Sequence, residues 1–481
     1  MRLTELIQQN PWWKYENKFP NKDVDLGRIS FLLKKKLIEI TPKNIYIIRG
    51  IRRCGKTVYL KILIKNLLEE NIDPRSVIYI SCDRLASRRE LYNIIKNIYV
   101  KNMDKNKIYI FLDEITYLPN WFLVLKNIAE SPWIGKLAII ATGSSPIKIR
   151  EKTERLPGRR IEGNEYYMKP YTFKEFIINV AKRLIKEKTV EKLVNTVKKL
   201  SFPPNQPNIH LLEPFIEEIN FLLETYLITG GFPEPITNYL QNRKINENIF
   251  ETIIRTCLGE ISKTGKSEAT AIGILNYILE NISRRTDYIT IARKIGIHHE
   301  TVKDYLETLQ NSFMIYVLHC WNLNKKTHAP RKQKKIAISD PFLHHALLKY
   351  LKGFEWNDLL DEIERRKPAL IESLVISHIA QVEEKPHIKE WWTYLGYYYS
   401  NNKEIDIVYK KDNKFTGIEI KYEETIKTRK TPIKTITLSK DQVEYEKQII
   451  PISLFLAGLK KSEKHMKIKT LSYKNQYQTK T

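Results

Sequence analysis

The stretch Gly50-Ile51-Arg52-Arg53-Cys54-Gly55-Lys56-Thr57 has the spacing G-x-x-x-x-G-K-T and directly follows the apolar run Asn44–Arg49. Glycines at 50 and 55 permit backbone angles that a Cβ would forbid, so successive N–H groups can point at one oxyanion. Lys56 would add a mobile cation for β- and γ-phosphates, and Thr57 a hydroxyl for Mg²⁺ at the start of the following helix. The expected nucleotide contacts are Gly50, Ile51, Arg52, Arg53, Cys54, Gly55, Lys56, Thr57 and Val58.

A second apolar run, Ile108-Tyr-Ile-Phe-Leu112, delivers Asp113-Glu114 at its end. Adjacent carboxylates at the C-terminal end of a buried strand are the complement of a phosphate loop. Asp113 would hold Mg²⁺, and Glu114 would orient or deprotonate the attacking water. A further run, Leu137–Thr142, leads into Gly143-Ser144-Ser145, where Thr142 or Ser144 could sense a γ-phosphate; a helix N-cap at Ser144 or Ser145 reads as well. Arg159, in Leu156-Pro-Gly-Arg-Arg160, has the residue type and placement of an arginine finger.

A third constellation lies far downstream. Glu372 shares a helical face with Ile376 and Ile379, and period two puts Glu404, Asp406 and Val408 on one face of a strand. Glu419 and Lys421 share a face of the next strand. One carboxylate on a helix, one on a strand and Glu-x-Lys on its neighbour resemble the PD-(D/E)XK nuclease fold. That resemblance implies that Asp406 and Glu419 bind Mg²⁺, that Lys421 positions water and that Glu372 assists from the helix. A cross-strand ion-pair cluster on a binding platform is the competing reading.

Strands and helices alternate from Asn44 to Thr142, with continuous Ile/Val/Phe runs rather than strict alternation. This predicts a parallel sheet buried on both faces. Ile289–Leu309 reads as helix, glycine turn at Gly296, helix, followed by Phe313–Leu318, the basic Lys325-Lys326 and Arg331-Lys-Gln-Lys-Lys335, and Ile336–Ile338. That is the order of a winged helix. His298, His299, Thr301 and Lys303 would then face a DNA major groove and the wing lysines would meet phosphate; packing between domains is the alternative. The segments Glu390–Tyr399, Glu404–Tyr409 and Phe415–Lys421 read as successive antiparallel strands.

Asn10-Pro-Trp-Trp13, Gly-Ile-Arg-Arg-Cys-Gly-Lys-Thr57, Ile-Phe-Leu-Asp-Glu114, Thr-Gly-Ser-Ser145, Leu-Pro-Gly-Arg-Arg160, Lys169-Pro-Tyr-Thr-Phe-Lys-Glu-Phe176 and Tyr226-Leu-Ile-Thr-Gly-Gly-Phe-Pro-Glu234 resemble archaeal and bacterial AAA-superfamily P-loop ATPases with a C-terminal nuclease-like domain. The resemblance implies an α/β multidomain protein: an AAA-type core with a parallel sheet over 1–172, a helical lid over 173–265, a winged helix over 266–345 and a PD-(D/E)XK-like α/β domain over 346–481. It implies ATP and Mg²⁺ as cofactors. The two tryptophans after Asn10 suit packing better than a ligand stack.

At 481 residues the chain exceeds one ordinary core, and 42% apolar residues exclude a disordered polymer. Its 81 Lys plus Arg against 55 Asp plus Glu leave a net charge of +26, which favours a polyanion and makes DNA the expected partner, although a uniformly Lys-rich surface would give the same sum. A homo-oligomer is compatible with this composition. Cys54, Cys82, Cys257 and Cys320 are widely separated and suggest neither a disulfide framework nor zinc. No apolar run nears the ~18 residues of a membrane span, and the first residues lack a leader's apolar stretch. A cytoplasmic protein with no membrane contact is expected.

Overall fold

The computed structural model describes residues 3–15, 37–143, 164–186, 188–382, 394–423, 426 and 430–460. The strands β1 (Asn44–Gly50), β2 (Val77–Ser81), β3 (Ile108–Asp113), β4 (Leu137–Gly143) and β5 (Glu165–Met168) form one all-parallel sheet in the order β2-β3-β4-β1-β5. Alternate residues feed opposite cores. Tyr109 and Phe111 of β3 join Tyr46 and Ile48 on one side, whereas Ile108, Ile110 and Leu112 join Ile45 and Ile47 on the other. This two-sided burial is why the strands read as unbroken apolar runs. Ile48 pairs with Thr142 and Leu112 with Ala141, so the ends of β1, β3 and β4 come out at one edge of the sheet. That edge is where open α/β sheets place ligands.

The outer strand β2 is closed by side chains. Asn10 is fully buried; its amide donates to Tyr79 O at 2.9 Å and accepts from Tyr79 N at 2.6 Å, as a neighbouring strand's peptide would. Trp12 and Trp13 both donate their indole N–H to Val77 O, and Gln9 Oε1 accepts from Ser81 N. The paired tryptophans are packing residues, and the exposed strand edge is blunted.

The helices expected as one lid divide between two cores. Glu247–Ser262 packs with the β1/β3 face of the parallel sheet, whereas Phe173–Leu184, Thr189–Lys199 and Ile216–Thr229 share a core with the C-terminal sheet. Between them lie β6 (Arg285–Thr286), the helices Tyr288–Ile295 and His299–Asn311 joined at Gly296, β7 (Ile315–His319), the short hairpin β8 (Trp321–Asn322) and β9 (Thr327–His328), and β10 (Lys334–Ile338). The antiparallel sheet β6-β10-β7 closes over Ile291, Val302, Leu306 and Leu309.

The C-terminal part follows the helix Trp356–Val382, which carries Pro368 inside it. Its sheet runs β11 (Leu395–Ser400), β12 (Lys403–Lys411), β13 (Lys414–Lys421), β14 (Thr435–Ser439) and β15 (Ile449–Pro451). The first three strands are antiparallel, as the sequence predicts, and β13-β14-β15 are parallel. Among the described residues no helix is long and apolar enough to cross a membrane.

Candidate functional site

The loop Gly50–Gly55 leaves β1 and enters the helix Lys56–Glu69. Gly55 caps that helix with φ 93°, in the left-handed region open to glycine. Gly50 is required for a different reason: a Cβ there would lie 2.0 Å from Met168 O on β5. Arg53 has φ 145°, unusual for a side-chain-bearing residue, and such strain is found where a backbone is held for a purpose. Cys54 Sγ donates to Ile51 O and Met168 O at 3.1 Å, tying the loop to β5. Lys56 is buried, with Nζ donating to Gly50 O at 3.0 Å and Ile51 O at 3.2 Å. Its ammonium therefore lies at the mouth of the loop.

Asp113, at the end of β3, faces this loop. Its Oδ2 accepts from Thr57 Oγ1 at 2.7 Å and from Tyr79 OH at 2.8 Å, and its Oδ1 accepts from Thr142 Oγ1 at 2.5 Å. The Thr142 oxygen in turn accepts from Glu114 N at 3.0 Å. Thr142 is thus engaged in holding the two carboxylate residues in place. Tyr79, which sequence reasoning missed, is one strand away and carries no motif; only the β2–β3 register brings it in, pairing Ser81 with Asp113. Burial first, and the Asp113 charge second, push the Tyr79 phenol well above its ordinary range.

Glu114 adopts φ 52°, ψ 42°, and its Oε2 is buried with no hydrogen-bond partner among the described residues. An orphaned buried carboxylate oxygen beside a Thr–Asp pair and a lysine fits a hydrated divalent cation and a phosphate chain. Arg52 turns away from the loop and donates to Tyr117 OH at 3.0 Å, with Glu260 of the helix Glu247–Ser262 at 3.4 Å. Arg53 pairs with Glu234 at 2.7 Å. A groove of about 460 Å³ opens beside Arg52, lined by Arg255, Thr256 and Lys263. Both loop arginines therefore connect the phosphate loop to the helical segments. Ser144 and Arg159 lie outside the described residues.

The downstream carboxylates are brought together, with a lysine at their centre. Lys335 of β10 is buried, and its Nζ lies 2.6 Å from Glu404, 2.9 Å from Glu372 and 3.3 Å from Asp406. The other Asp406 oxygen accepts from Ile420 N at 2.9 Å. Arg285, paired with Lys335 across β6 and β10, binds Glu404 at 3.1 Å and stacks on Tyr399. Burial disfavours the Lys335 ammonium, but the three carboxylates outweigh it and hold the lysine above its usual range. Burial raises the Glu372 carboxyl to about 7. Glu419 is buried on β13; Lys421 makes no hydrogen bond or ion pair with these carboxylates among the described residues. Val408 packs against Trp321 and Ile405, so the strict alternation expected along β12 does not hold there.

One expectation for the middle segment is corrected in part. Lys334 and Lys335 are buried rather than offered to phosphate, because β10 is the central strand of its sheet. Lys334 lies over the Tyr288 ring at 4.4 Å. Lys325, Lys326, Arg331 and Lys332 are exposed, although Lys332 Nζ donates to Tyr399 O and Gln333 O accepts from Tyr397 OH, both tyrosines on the C-terminal sheet. The second helix, His299–Asn311, follows the exposed His298 and exposes Lys303 beside Glu300, Asp304 and Glu307, with His299 and Thr301 half-buried.

The parallel sheet, the phosphate loop and the Thr57–Asp113 pair make up a P-loop core. A family model described as an AAA domain matches residues 42–177, and two models described as domains of unknown function match residues 220–352 and 367–455. The chain is 26% identical over 319 residues to the Methanocaldococcus jannaschii uncharacterized protein MJ1637, covering 64% of each, so it spans just under two thirds of that relative. It is 25% identical over 471 residues to MJ1544 of the same organism, covering 92% of this chain and 89% of that one. Among solved structures, a Thermotoga maritima RuvB overlaps at a TM-score of 0.25 and 13% identity, covering 58% of this chain and 82% of that one.

Proposed function

We propose that the chain is a Mg²⁺-dependent ATP hydrolase of AAA type that acts on DNA. The observation that carries the hydrolase reading is the 2.7 Å contact of Thr57 Oγ1 with Asp113, set beside Lys56 and the unpartnered Glu114 oxygen. Thr57 and Asp113 would hold the cation, and the loop from Gly50 to Val58 the phosphates. When bound, Mg²⁺ neutralises charge developing on the phosphoryl oxygens. Within this chain, Lys56 supplies positive charge at the loop mouth, Tyr79 and Thr142 hold Asp113 in one orientation, and Glu114 is the general base. Arg159 is retained as the arginine finger. The salt links Arg52–Glu260 and Arg53–Glu234 would pass a change at the loop to the helices behind it. The net charge of +26 supports DNA as the partner. The test is steady-state ATP turnover with and without Mg²⁺ and with and without duplex DNA; Mg²⁺-independent turnover, or indifference to DNA, counts against the corresponding half.

For the C-terminal part a second reading is favoured by Lys335. Its ammonium sits among Glu372, Glu404 and Asp406, so the Asp406 carboxylate, which the nuclease reading gives to a metal with Glu419, already has a cation. This supports a nuclease-like platform that couples to the ATPase through protein contacts. Cleavage of DNA by the intact protein with Mg²⁺ or Mn²⁺, abolished by Asp406→Ala, would restore the nuclease reading.

A further inference from the structure

Resting on the reading that the partner is DNA, we infer that the duplex backbone is gripped by the helical hairpin Phe173–Leu184 and Thr189–Lys199, not by the helix-turn-helix. The hairpin is strongly two-faced. Phe173, Phe176, Ile177 and Val180 of its first helix, and Val190, Leu193, Val194 and Val197 of its second, are buried in the core shared with the C-terminal sheet. The opposite face is cationic. Lys188, Lys192 and Lys199 are exposed, and their spacing of four and then seven residues places them on one stripe of the second helix. Lys182, Arg183, Lys186 and Lys198 are exposed around that stripe. Glu191, ion-paired with Lys182 at 2.5 Å, is the only exposed acid among the described residues from 182 to 199.

At 1.5 Å of rise per residue the stripe spans about 16 Å. One DNA strand offers about five phosphates over that length. On the helix His299–Asn311 the balance is opposite, Glu300, Asp304 and Glu307 against Lys303, with Asp304 already holding Lys266; the exposed Arg293, Lys294, Lys325 and Lys326 are divided between two further elements and form no helical stripe. Charge complementarity therefore assigns the phosphates to the hairpin.

The experiment measures duplex binding by fluorescence anisotropy across a salt series, using the full-length protein and the variant Lys188→Glu/Lys192→Glu/Lys199→Glu. The comparison protein is Arg88→Glu/Arg89→Glu, which reverses exposed charges on the helix Arg88–Lys101. The hairpin variant is expected to bind at least roughly tenfold more weakly and to lower the salt slope by about 2.7, from about 0.9 per lost phosphate contact. Its melting temperature and DNA-free ATPase rate are expected to match the parent, and the Arg88/Arg89 variant is expected to keep the parental slope. If both variants weaken binding in proportion to the charge they reverse, six units against four, net charge alone is responsible and the assignment fails. It also fails if the hairpin variant binds like the parent. A parent that binds no duplex overturns the DNA reading itself, as does hairpin-dependent capture of anionic vesicles without DNA binding.

Discussion

The Lys335 ammonium of β10 lies 2.9 Å from the Glu372 carboxylate on the helix Trp356–Val382, with Lys335 buried and Glu372 partly buried. The pair joins the strand that follows the helix-turn-helix to the helix that precedes the C-terminal sheet. Glu404 and Asp406 complete the cluster from β12. Motion of the middle segment relative to the C-terminal sheet would have to break these contacts together with the Lys332–Tyr399 and Tyr397–Gln333 hydrogen bonds.

Lys335→Met is therefore expected to destabilise the fold by about 3–5 kcal/mol, because three carboxylates lose their common cation inside the protein. The triple change Lys335→Met/Glu372→Leu/Asp406→Asn should recover much of that loss. Urea unfolding of the three proteins measures this; a Lys335→Met protein as stable as the parent would show that water compensates the cluster.

Glu114→Gln keeps the size of the side chain but removes the base. Nucleotide binding should persist while turnover falls roughly 10²- to 10⁴-fold, the range for loss of a general base. Lys56→Ala should lose binding as well, since its charge at the loop mouth serves bound and reacting phosphate alike. Calorimetric titration with a non-hydrolysable ATP analogue beside the ATPase rate separates the two.

Tyr79→Phe and Thr142→Val each delete one donor to Asp113, and Thr142→Val also removes the acceptor of Glu114 N. Hydrogen bonds to charged groups are worth about 1.5–3 kcal/mol, so turnover should drop on the order of tenfold to a hundredfold. Because both act through Asp113, the Mg²⁺ concentration needed for half-maximal rate should rise while nucleotide affinity without Mg²⁺ stays unchanged. An unaltered Mg²⁺ requirement would assign these residues to packing alone.

Asp340 is buried at the start of the helix Pro341–Lys352, where it accepts from Gly231 N and Phe342 N at 2.9 Å, and burial raises its carboxyl from 3.8 to about 7. A folded value above the unfolded one means that its contribution is full below about pH 4 and is lost as pH rises through about 7. The parent should therefore lose melting temperature between pH 5 and 8 by more than Asp340→Asn does, whatever the absolute cost of the substitution. Parallel slopes for the two proteins would rule the group out.

How much of this was legible beforehand follows from the distance over which each interaction acts. The phosphate loop, the Asp113-Glu114 strand end, the parallel sheet and the three antiparallel C-terminal strands could be read directly. Each is encoded by neighbours in sequence: glycines where the backbone must turn, two-sided apolar runs, period-two strands. Tyr79, the side-chain closure of β2 by Asn10 and the insertion of Lys335 into the carboxylates could not, because they join residues 34 to 71 positions apart through sheet register and domain packing. A basic run at 331–335 looks the same in sequence whether it meets phosphate or carboxylate. Local pattern thus determined which groups could do chemistry, and the tertiary structure decided which charge each one faces, since only packing sets the desolvation and the partner of a lysine.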